Sequence, residues 1–395
     1  MKLFNCRSPF IVTVERDSAQ IATKIELYVW KVGDTAPTTP TKVIEKTKYS
    51  DTQYINYYNI SPFVYDVINP LEGDFAYNVY YESFYKLDTE WIGIDKYVYV
   101  AVNGYNDYSL GNSGTYYENP FYILKNIYGN KHYSDTGLFL DTIDYFYPSL
   151  LTTEFIPTID FVLDFTGNGW DYRIYYETTE SIDDYYEVNE YWVDYLNNST
   201  IELHRVPMVV APIEGTIVNT VFKFQYRTSS ESEWINSYVC LLTPICEQKY
   251  NPLILSFINR LGGLQQITLF KNSTKTIDVK SSEYNTNTFR DNYPAYDINL
   301  GQKRIFNKNG GTTIKCNTGW ISENQNFDIQ DLMLSENLYI ISSNQINMGG
   351  FEAPDIYGAV TLKNSSMLMK THLNEKVINY EFEFEIANKL INNVV

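Results

Sequence analysis

The sequence predicts a mainly β protein made of serial β-sandwich domains of the immunoglobulin or fibronectin III type, with few short helices. Apolar or aromatic residues alternate with polar ones along many runs, which is the period of a half-buried strand. Clusters of Gly, Asn, Asp and Pro separate these runs and indicate turns. The chain of 395 residues also contains 37 Tyr, and aromatic side chains favour strands and the cores of protein interfaces.

Residues 1–112 are predicted to form an N-terminal β-sandwich. In TKIELYVWKV, Ile25, Leu27 and Val29 fall on one face of a strand and the residues between them on the other. Runs with the same alternation lie at 10–15, 75–87 and 95–112. About 110 residues with this strand spacing are typical of one immunoglobulin-like sandwich.

Two short helical segments are predicted in the otherwise extended chain. In SPFVYDVI we expect Ser61 to cap a helix and Pro62 to be its first residue, because the fixed φ of proline suits that position. A second short helix or turn is expected over DIQDLMLSE, at 328–336.

Residues 113–245 form a Tyr-rich, acidic middle β region, which is either a domain or an insertion. Two hairpins are predicted there, IDFVLDFTGNGWDYRIYYETT with a Gly-Asn-Gly turn and TVFKFQYRTSSESEWINSYVCLL with a polar turn. The first turn holds a weak metal candidate, Asp164, Asn168 and Asp171, whose oxygens suit calcium. Because the spacing departs from the EF-hand pattern at Thr166 and Tyr175, a plain hairpin turn is preferred, and no metal or cofactor is predicted.

Residues 246–395 are predicted to form a C-terminal β-sandwich. It begins with the hairpin YNPLILSFINRLGGLQQITLFKNS, in which Gly262 and Gly263 can supply positive φ angles. It ends with INYEFEFEIANKLI, in which Tyr380, Phe382 and Phe384 alternate with glutamates. One face of this last strand is therefore apolar and the other is a row of carboxylates.

Charge and cysteine content exclude several classes of protein. The formal net charge of −18 and the pI near 4.6 argue against specific nucleic-acid binding, which depends on Lys and Arg. The four cysteines, Cys6, Cys240, Cys246 and Cys316, are too scattered for a disulfide scaffold and are expected to be reduced. No apolar run is long enough for a membrane anchor or a signal peptide, so synthesis in the cytoplasm is expected.

The stretch YYETTESIDDYYEVNEYWVDYL, at 175–196, combines five neighbouring carboxylates with aromatic residues. Such a composition is found in glycosidase clefts, but glycosidase carboxylates converge from separate elements, whereas these lie on one segment. A solvated face of a scaffold is therefore preferred. The aromatic side chains remain candidates for protein or glycan contacts: Tyr185, Tyr186, Tyr191, Trp192, Trp170 and Trp320.

No catalytic constellation is recognisable in the sequence. The three histidines, His132, His204 and His372, lie in no nucleophile or metalloprotease signature, and no Gly-rich loop precedes a helix as a phosphate site requires. The protein is therefore predicted not to be an enzyme.

Several stretches resemble one family. CEQKYNPLILSFINRLGGLQQITLFKNSTKTIDV, TIKCNTGWISENQNFDIQDLMLSENLYI and EKVINYEFEFEIANKLIN look like the C-terminal half of tail structural proteins from phages of Bacteroidetes hosts, crAss-like phages among them. The segments SPFIVTVERDSAQIATKIELYVWKVG, NISPFVYDVI and VAVNGYNDYSLGN are similar to the first sandwich of those proteins. The likeness covers 1–112 and 246–395. It departs at LQQITLF, where those proteins often have a basic and aromatic hairpin.

This resemblance implies a virion protein of the phage tail, assembled in the bacterial cytoplasm. Its expected partners are copies of itself in a ring, together with other tail, portal or hub proteins. Tail rings are symmetric, so each copy must present two complementary faces. Two alternatives stay open, a carbohydrate-binding tail adhesion module that recognises host capsule and a capsule glycosidase.

Overall fold

The computed structural model describes most of the chain outside its middle region. The described residues are 3–15, 17, 19–47, 54–68, 76–105, 121–123, 132–133, 139–140, 142–146, 158–164, 170–181, 184–191, 201–207, 219–228, 233–244, 253–269, 271–286, 289–290, 293–296, 301–342, 358–369, 377–387 and 390–391. As the sequence predicts, strands dominate.

The N-terminal region contains seven strands and one helix. Their bounds are β1 Leu3–Asn5, β2 Ile11–Glu15, β3 Ala22–Lys31, β4 Lys42–Thr47, β5 Ile55–Asn59, α1 Ser61–Tyr65, β6 Ala76–Leu87 and β7 Glu90–Val102. Five strands form a sheet in the order β1-β7-β6-β3-β4, while β2 and β5 pair with each other. Strand β1 is parallel to β7, the other neighbours in that sheet are antiparallel, and β2 pairs separately with β5. This arrangement is an immunoglobulin-like sandwich.

Apolar residues from both sheets of this sandwich form one core. Ile25 and Leu27 of β3 are fully buried, and they belong to the same cluster as Val12 of β2 and Tyr58 of β5. Alternation at a period of two explains this arrangement, because every second side chain of a strand points to the same face. Burial of each such aliphatic side chain contributes about 1.5–3 kcal/mol.

A buried polar contact also links the two sheets. The hydroxyl of Tyr58 on β5 donates a hydrogen bond to the carbonyl oxygen of Thr23 on β3, over 2.8 Å. The amide of Asn56 donates to Thr23 Oγ1 over 2.7 Å. These bonds satisfy polar groups that would otherwise be costly to bury, and they set the register of one sheet on the other.

Helix α1 is where the sequence predicts it, but its cap differs. Ser61 is the first helical residue, Ile60 holds the N-cap position, and no side chain caps the helix. The Ser61 hydroxyl instead donates to the carbonyl oxygen of Ser8 over 2.6 Å and accepts from the amide of Phe10 over 2.8 Å. The expectation that Ser61 is the cap is therefore wrong, because its hydroxyl binds the backbone of Ser8 and Phe10, just before β2.

The middle region contains ten further strands. Their bounds are β8 Phe121–Ile123, β9 His132–Tyr133, β10 Phe139–Leu140, β11 Thr142–Phe146, β12 Thr158–Asp164, β13 Trp170–Ser181, β14 Asp184–Tyr191, β15 Ile201–Pro207, β16 Asn219–Thr228 and β17 Ile235–Pro244. Two sheets hold most of them, in the orders β11-β17-β16-β13-β14 and β15-β12-β8, and β9 pairs with β10.

The strand order of the middle region repeats that of the first sandwich. In both, an early strand lies parallel to the last one, as β1 does to β7 and β11 to β17. The sheet then continues through the same three antiparallel steps, and the remaining strands pair separately. The middle region therefore has the topology of a second immunoglobulin-like sandwich.

This topology corrects one of the two hairpins predicted there. Strands β16 and β17 pair antiparallel, as expected. Strand β12, however, pairs with β15 and β8, whereas β13 pairs with β14 and β16. The segment around the Gly-Asn-Gly sequence therefore connects two sheets and is not a hairpin turn. The Gly-Asn-Gly residues themselves lie outside the described residues, and turn-forming residues between two strands do not tell which strands pair.

The C-terminal region contains the remaining elements. Their bounds are β18 Leu253–Ile258, β19 Leu264–Leu269, β20 Thr274–Asn285, β21 Phe289–Arg290, β22 Tyr293–Tyr296, β23 Lys303–Asn317, β24 Ile321–Ser322, a 3-10 turn Glu323–Gln325, α2 Asn326–Leu334, β25 Leu338–Ser342, β26 Gly358–Leu362, β27 Val377–Ile378, β28 Glu381–Ile386 and β29 Leu390–Ile391. The main sheet has the order β19-β18-β25-β26-β28-β23-β20, with β29 also paired to β23.

The chain divides into two compact units whose limits do not follow the three regions of the sequence. The first comprises Met1–Cys246, Ser256–Gln266 and Phe327–Asn337. The second comprises Glu247–Leu255, Ile267–Asn326 and Leu338–Val395. The tip of the β18–β19 hairpin and most of α2 therefore belong to the same unit as the N-terminal sandwich.

Two glycines permit the closest backbone approach within the first unit. A Cβ atom on Gly104 would lie under 3.0 Å from backbone atoms of Arg260 and Leu261, and one on Gly262 would lie 2.8 Å from the amide nitrogen of Asn103. Gly262 also has a φ of 88°, a conformation that other residues rarely adopt. The amide of Tyr105 donates to the carbonyl oxygen of Arg260 over 2.7 Å and joins the two segments of chain.

A buried carboxylate completes this junction. Asp331 of α2 accepts hydrogen bonds from the Tyr105 hydroxyl (3.2 Å) and from the amide of Arg260 (3.0 Å). Its side chain is almost fully buried. Burial, and then the nearby Asp331 carboxylate, raise the pKa of Tyr105 well above its ordinary value. Tyr105 therefore remains a donor throughout the neutral range, and hydrogen bonds to a charged acceptor are among the stronger ones.

We expect Gly262→Ala to lower the free energy of unfolding more than Gly33→Ala does. Gly33 has a comparable φ of 96°, but an added Cβ atom would meet nothing within 4 Å, so its substitution isolates the conformational cost of about 1–2 kcal/mol. Gly262→Ala adds a steric clash with the backbone, and overpacking of this kind lowers the free energy of unfolding by about 1–3 kcal/mol in addition. Urea unfolding of the two variants measures the difference, and equal losses would contradict the close approach.

We also expect Tyr105→Phe to change how stability depends on pH. Because the pKa of Tyr105 is raised on folding, its contribution is fully present below pH about 10 and is lost as pH rises further. The wild type should exceed Tyr105→Phe by about 1.5–3 kcal/mol at pH 7, and this gap should shrink above pH about 10.

Tyr57→Phe is the control for this pH experiment, because the Tyr57 side chain is 55% exposed. Urea unfolding between pH 7 and pH 11 measures all three proteins. A gap between wild type and Tyr105→Phe that stays constant with pH would contradict the buried Tyr105–Asp331 bond.

Candidate interaction surfaces

Strands β20 and β23 form a long two-stranded arm, which we call the arm (Thr274–Asn285 and Lys303–Asn317). The two strands pair antiparallel along their whole length. All twelve residues of β20 are exposed, and β20 is the last strand of its sheet. At about 3.4 Å per residue, β20 is roughly 40 Å long. Among the described residues its outer edge has no partner strand, so it presents a row of backbone donors and acceptors that can pair with another strand.

The arm exposes large apolar side chains that a solvated hairpin does not need. Ile277 and Val279 are 55% and 60% exposed and lie two residues apart, so they share one face of β20. Phe306 is 59% exposed, and its ring packs edge-on against Tyr284 with centroids 6.1 Å apart. Adjacent exposed apolar groups on one element indicate a protein contact surface.

The arm is basic within an acidic protein. Its two strands carry six Lys and Arg against only two acidic residues, Asp278 and Glu283, whereas the whole chain has a formal charge of −18. Lys303 lies 3.4 Å from Glu283, and Lys315 lies 3.3 Å from Glu383 of β28. The other four, Lys275, Lys280, Arg304 and Lys308, form no ion pair within the part of the chain that the structure describes.

The sheet of the first sandwich presents a different surface, which we call the outer face. Register places Tyr28, Tyr80 and Val98 in one row across β3, β6 and β7, and Glu26, Glu82 and Lys96 in the next. Tyr28 and Tyr80 have ring centroids 5.5 Å apart. These side chains are half-buried or exposed, because the opposite face of the sheet takes the core residues.

Charges on the outer face are paired with one another. Lys24 lies 2.5 Å from Glu26 and Lys96 lies 2.6 Å from Glu82. The Tyr80 hydroxyl also donates to Glu82. The hydrogen bonds from Lys96 and Tyr80 lower the pKa of Glu82. This surface therefore has internally balanced charge, which distinguishes it from the arm.

Strand β14 forms an acidic edge. It is the last strand of its sheet in the described structure and pairs on one side with β13. That register places Glu187 opposite Glu177 along the backbone ladder. The segment 175–196 contains no Lys or Arg that would offset its carboxylates.

The predicted aromatic contact residues are only partly brought together. Trp170 begins β13, and Tyr185, Tyr186 and Tyr191 lie in β14, the strand next to it. In the backbone register Tyr185 pairs with Thr179 and Tyr186 with Thr178 of β13. Trp192 lies outside the described residues. Trp320 belongs to the second unit and is 58% exposed.

The weak metal candidate is divided between sheets. Asp164 is the last residue of β12 and Asp171 is the second residue of β13, and these strands belong to different sheets. Asn168 lies outside the described residues. In the described ranges, no three His, Cys, Asp or Glu side chains are placed to hold a metal ion.

Two of the three histidines lie in strands that the structure describes. His132 lies in β9 and His204 in β15, where it stands opposite Phe161 of β12. His372 lies outside the described residues.

The prediction of unpaired cysteines is confirmed for the three that are described. Cys6, Cys240 and Cys316 are free and buried, while Cys246 lies outside the described residues. Burial raises the pKa of Cys6 and of Cys316 to about 12 in each case. These thiols therefore serve as small core residues and not as nucleophiles.

Sequence reasoning missed the arm as an interaction surface. The net charge of −18 describes the whole chain, and the six basic residues of the arm are spread over two strands without forming a dense Lys/Arg run, so composition does not reveal the local excess of basic residues. The alternating spacing of Lys275, Ile277 and Val279 with little acidic compensation is the signal that marks it. Exposure of every residue of β20 is a tertiary property that no local pattern contains.

Comparisons with known proteins leave the family of this chain open. No protein-family model and no curated protein matches it. Among solved structures it is similar to the crystal structure of CBD12 from CALX1.2, with 11% identity over 59% of this chain and 80% of that chain and a TM-score of 0.18. A TM-score this low supports no functional comparison. No helix among the described residues is long and apolar enough to cross a membrane.

We expect a cysteine placed on the arm to react rapidly with a thiol reagent while the buried native cysteines do not. In a Cys246→Ser background, Ser281→Cys adds an exposed thiol on β20. A pKa of about 12 leaves Cys6 and Cys316 with a thiolate fraction on the order of 1,000-fold below that of an ordinary thiol. Labelling with Ellman's reagent before and after unfolding measures this, and slow native labelling of Ser281→Cys would contradict the exposed arm.

Proposed function

We propose that this protein is a non-enzymatic structural component of a bacteriophage tail, which assembles with copies of itself into a ring around the tail axis. The observation that carries the proposal is the arm. In the part of the chain that the structure describes, it combines a strand edge without a partner strand, solvent-exposed apolar side chains and four basic side chains without an ion pair. Such a surface is costly for a monomer in solution, because it invites strand pairing and apolar association, and it suits a subunit that is buried on assembly.

The architecture supports the same role. Two successive regions share the strand order of an immunoglobulin-like sandwich, a scaffold that offers large lateral sheet faces. The outer face of the first sandwich is covered with aromatic rings and internally paired charges. Tyr and other aromatics at such positions are enriched in protein interfaces, where a buried ring and a hydrogen-bonding hydroxyl both contribute.

The phage assignment derives from the resemblance of residues 1–112 and 246–395 to tail proteins of phages of Bacteroidetes hosts. It fits a ring subunit because a closed ring needs two different complementary surfaces on each copy. The arm and the outer face of the first sandwich are two different surfaces on different parts of the chain, one with an excess of basic residues and one with internally paired charges.

We expect the triple variant Ile277→Ser, Val279→Ser, Phe306→Ser to prevent self-association without unfolding the protein. All three side chains are more than half exposed, so the monomer loses little packing, whereas an assembly loses three buried apolar contacts worth about 1.5–3 kcal/mol each. Sedimentation velocity over a range of concentrations measures the oligomer distribution of wild type and variant.

Leu368→Ser is the matched control, because Leu368 is 81% exposed and lies outside the arm. It should leave self-association unchanged. A wild type that remains monomeric at every concentration tested would contradict the proposal, as would a triple variant that assembles normally. Cryo-EM of virions, with copies counted around the tail axis, then tests the position in the particle.

The carbohydrate-binding alternative predicts a different result for the purified wild-type protein. Purified protein that stays monomeric but binds host capsule glycan, with loss of binding in Tyr191→Ala, would favour an adhesion module instead.

A further inference from the structure

We infer that strand β20 of the arm pairs antiparallel with β20 of a second copy of this chain, around a two-fold axis at Val279. Such a pair goes beyond the proposed ring, because a two-fold contact joins two copies through the same surface and is complete with two. Strand β20 pairs with β23 on one side and, among the described residues, has no partner strand on the other. All of its residues are exposed.

Strand β20 has the regular backbone that pairing between two edges requires. Its register with β23 is continuous from Thr274 to Ser282. At the one irregularity, beyond Ser282, the partner residue moves from Asn307 to Ile305, so the extra residue belongs to β23. Side chains of β20 therefore alternate between its two faces along the whole strand. In strand addition, main-chain hydrogen bonds supply affinity and side chains supply specificity.

The charged side chains of β20 balance one another. The strand carries Lys275, Asp278, Lys280 and Glu283, whose charges sum to zero, so the excess of basic residues in the arm lies on β23. Net charge therefore does not keep two β20 strands apart. A nucleic-acid backbone, by contrast, gains little from a strand without net positive charge.

A single two-fold register places every charged residue of β20 opposite a residue of opposite charge. In an antiparallel pair with two-fold symmetry, residues directly opposite share a face and one residue stands opposite its own copy. With Val279 at that position, Lys275 faces Glu283 of the second copy, and Asp278 faces Lys280 of the second copy. An axis at Asp278 or at Lys280 sets like charges opposite each other, which is destabilising.

The same register covers the exposed apolar side chains of β20. Ile277 and Val279 are 55% and 60% exposed and share one face of the strand. With the axis at Val279, the two valines lie opposite each other, and Ile277 of each copy lies diagonally beside Val279 of the other. Cross-strand pairs of this kind stabilise a sheet. The centre of the contact is therefore apolar, and charged pairs lie on either side of it.

Lysines on an edge strand usually oppose pairing with other strands, but those of β20 are spaced to favour one partner. Lys275 and Lys280 form no ion pair in the part of the chain that the structure describes, and the second copy supplies a carboxylate for each. Glu283 lies 3.4 Å from Lys303, so in the pair it stands between that lysine and Lys275 of the second copy. A strand with other charge spacing leaves these lysines unpaired, which makes the contact selective.

Disulfide cross-linking tests the position of the axis. In a Cys246→Ser background, Val279→Cys sets two thiols opposite each other, with Cα atoms about 4.5–5.5 Å apart, a separation that a disulfide accepts. Ser281→Cys is the matched control, because it is equally exposed on β20 but its two copies would lie about 14 Å apart. Oxidation with copper phenanthroline and non-reducing electrophoresis should show covalent pairs forming about 10-fold faster for Val279→Cys.

Two double substitutions of identical composition test the register. Asp278→Lys with Lys280→Asp exchanges charges that face each other, so opposite charges still meet and the pair should form about as tightly as in wild type. Lys275→Asp with Asp278→Lys instead sets like charges opposite each other at every charged position and should weaken the pair about 10-fold. Sedimentation velocity measures both variants, and circular dichroism establishes that each remains folded.

The outcomes separate this inference from the proposed function. Equal cross-linking of Val279→Cys and Ser281→Cys would overturn the two-fold pair, as would equal effects of the two double substitutions. If either result is found while wild type still assembles and the triple variant on the arm does not, self-assembly through the arm stands and the arm meets a different surface. If covalent pairs form but no larger oligomer appears and virions contain no ring of this chain, the pair stands and the proposed ring falls. A wild type that is monomeric at every concentration contradicts both.

Discussion

The described first unit depends on one close approach of two chain segments that are far apart in sequence. The backbone at Asn103-Gly104 passes so near the tip of the β18–β19 hairpin that neither Gly104 nor Gly262 has room for a Cβ atom. Asp331, 226 residues from Tyr105, then accepts hydrogen bonds from both sides of this contact. Because a buried carboxylate without donors is very costly, the geometry is tightly determined. Any substitution that separates the two segments also removes the partners of Asp331.

In sequence, the arm lies between two segments that belong to the first unit. The hairpin tip precedes Ile267–Asn326 in the chain and the helix segment Phe327–Asn337 follows it, and both belong to the first unit. The arm occupies the stretch between them. Its own stability comes from the long ladder between β20 and β23 and from the pairing of β23 with β28 and β29. The arm can therefore expose apolar and basic side chains and stay folded, because backbone hydrogen bonds and contacts with neighbouring strands stabilise it.

The outer face and the arm differ in how their charged side chains are paired. On the outer face, lysines and glutamates neutralise one another within the sheet, so burial of that face against another protein costs little unpaired charge. On the arm, four cations lack such partners in the described structure, so burial of the arm against another surface requires that surface to supply the compensating charge.

Sequence alone determined four of the strands of the N-terminal sandwich, β2, β3, β6 and β7, together with the positions of both helices and the β18–β19 hairpin, because each follows from local alternation or from Pro and Gly chemistry. It did not determine that Ser61 would bind the chain before β2, nor that β12 and β13 lie in different sheets. Both outcomes depend on which distant segment comes close, and residue spacing carries no such information. The arm and the acidic edge were visible only as composition. Only the tertiary structure shows which of these residues are exposed and which strand lies at the edge of a sheet, because both depend on how all the other strands pair.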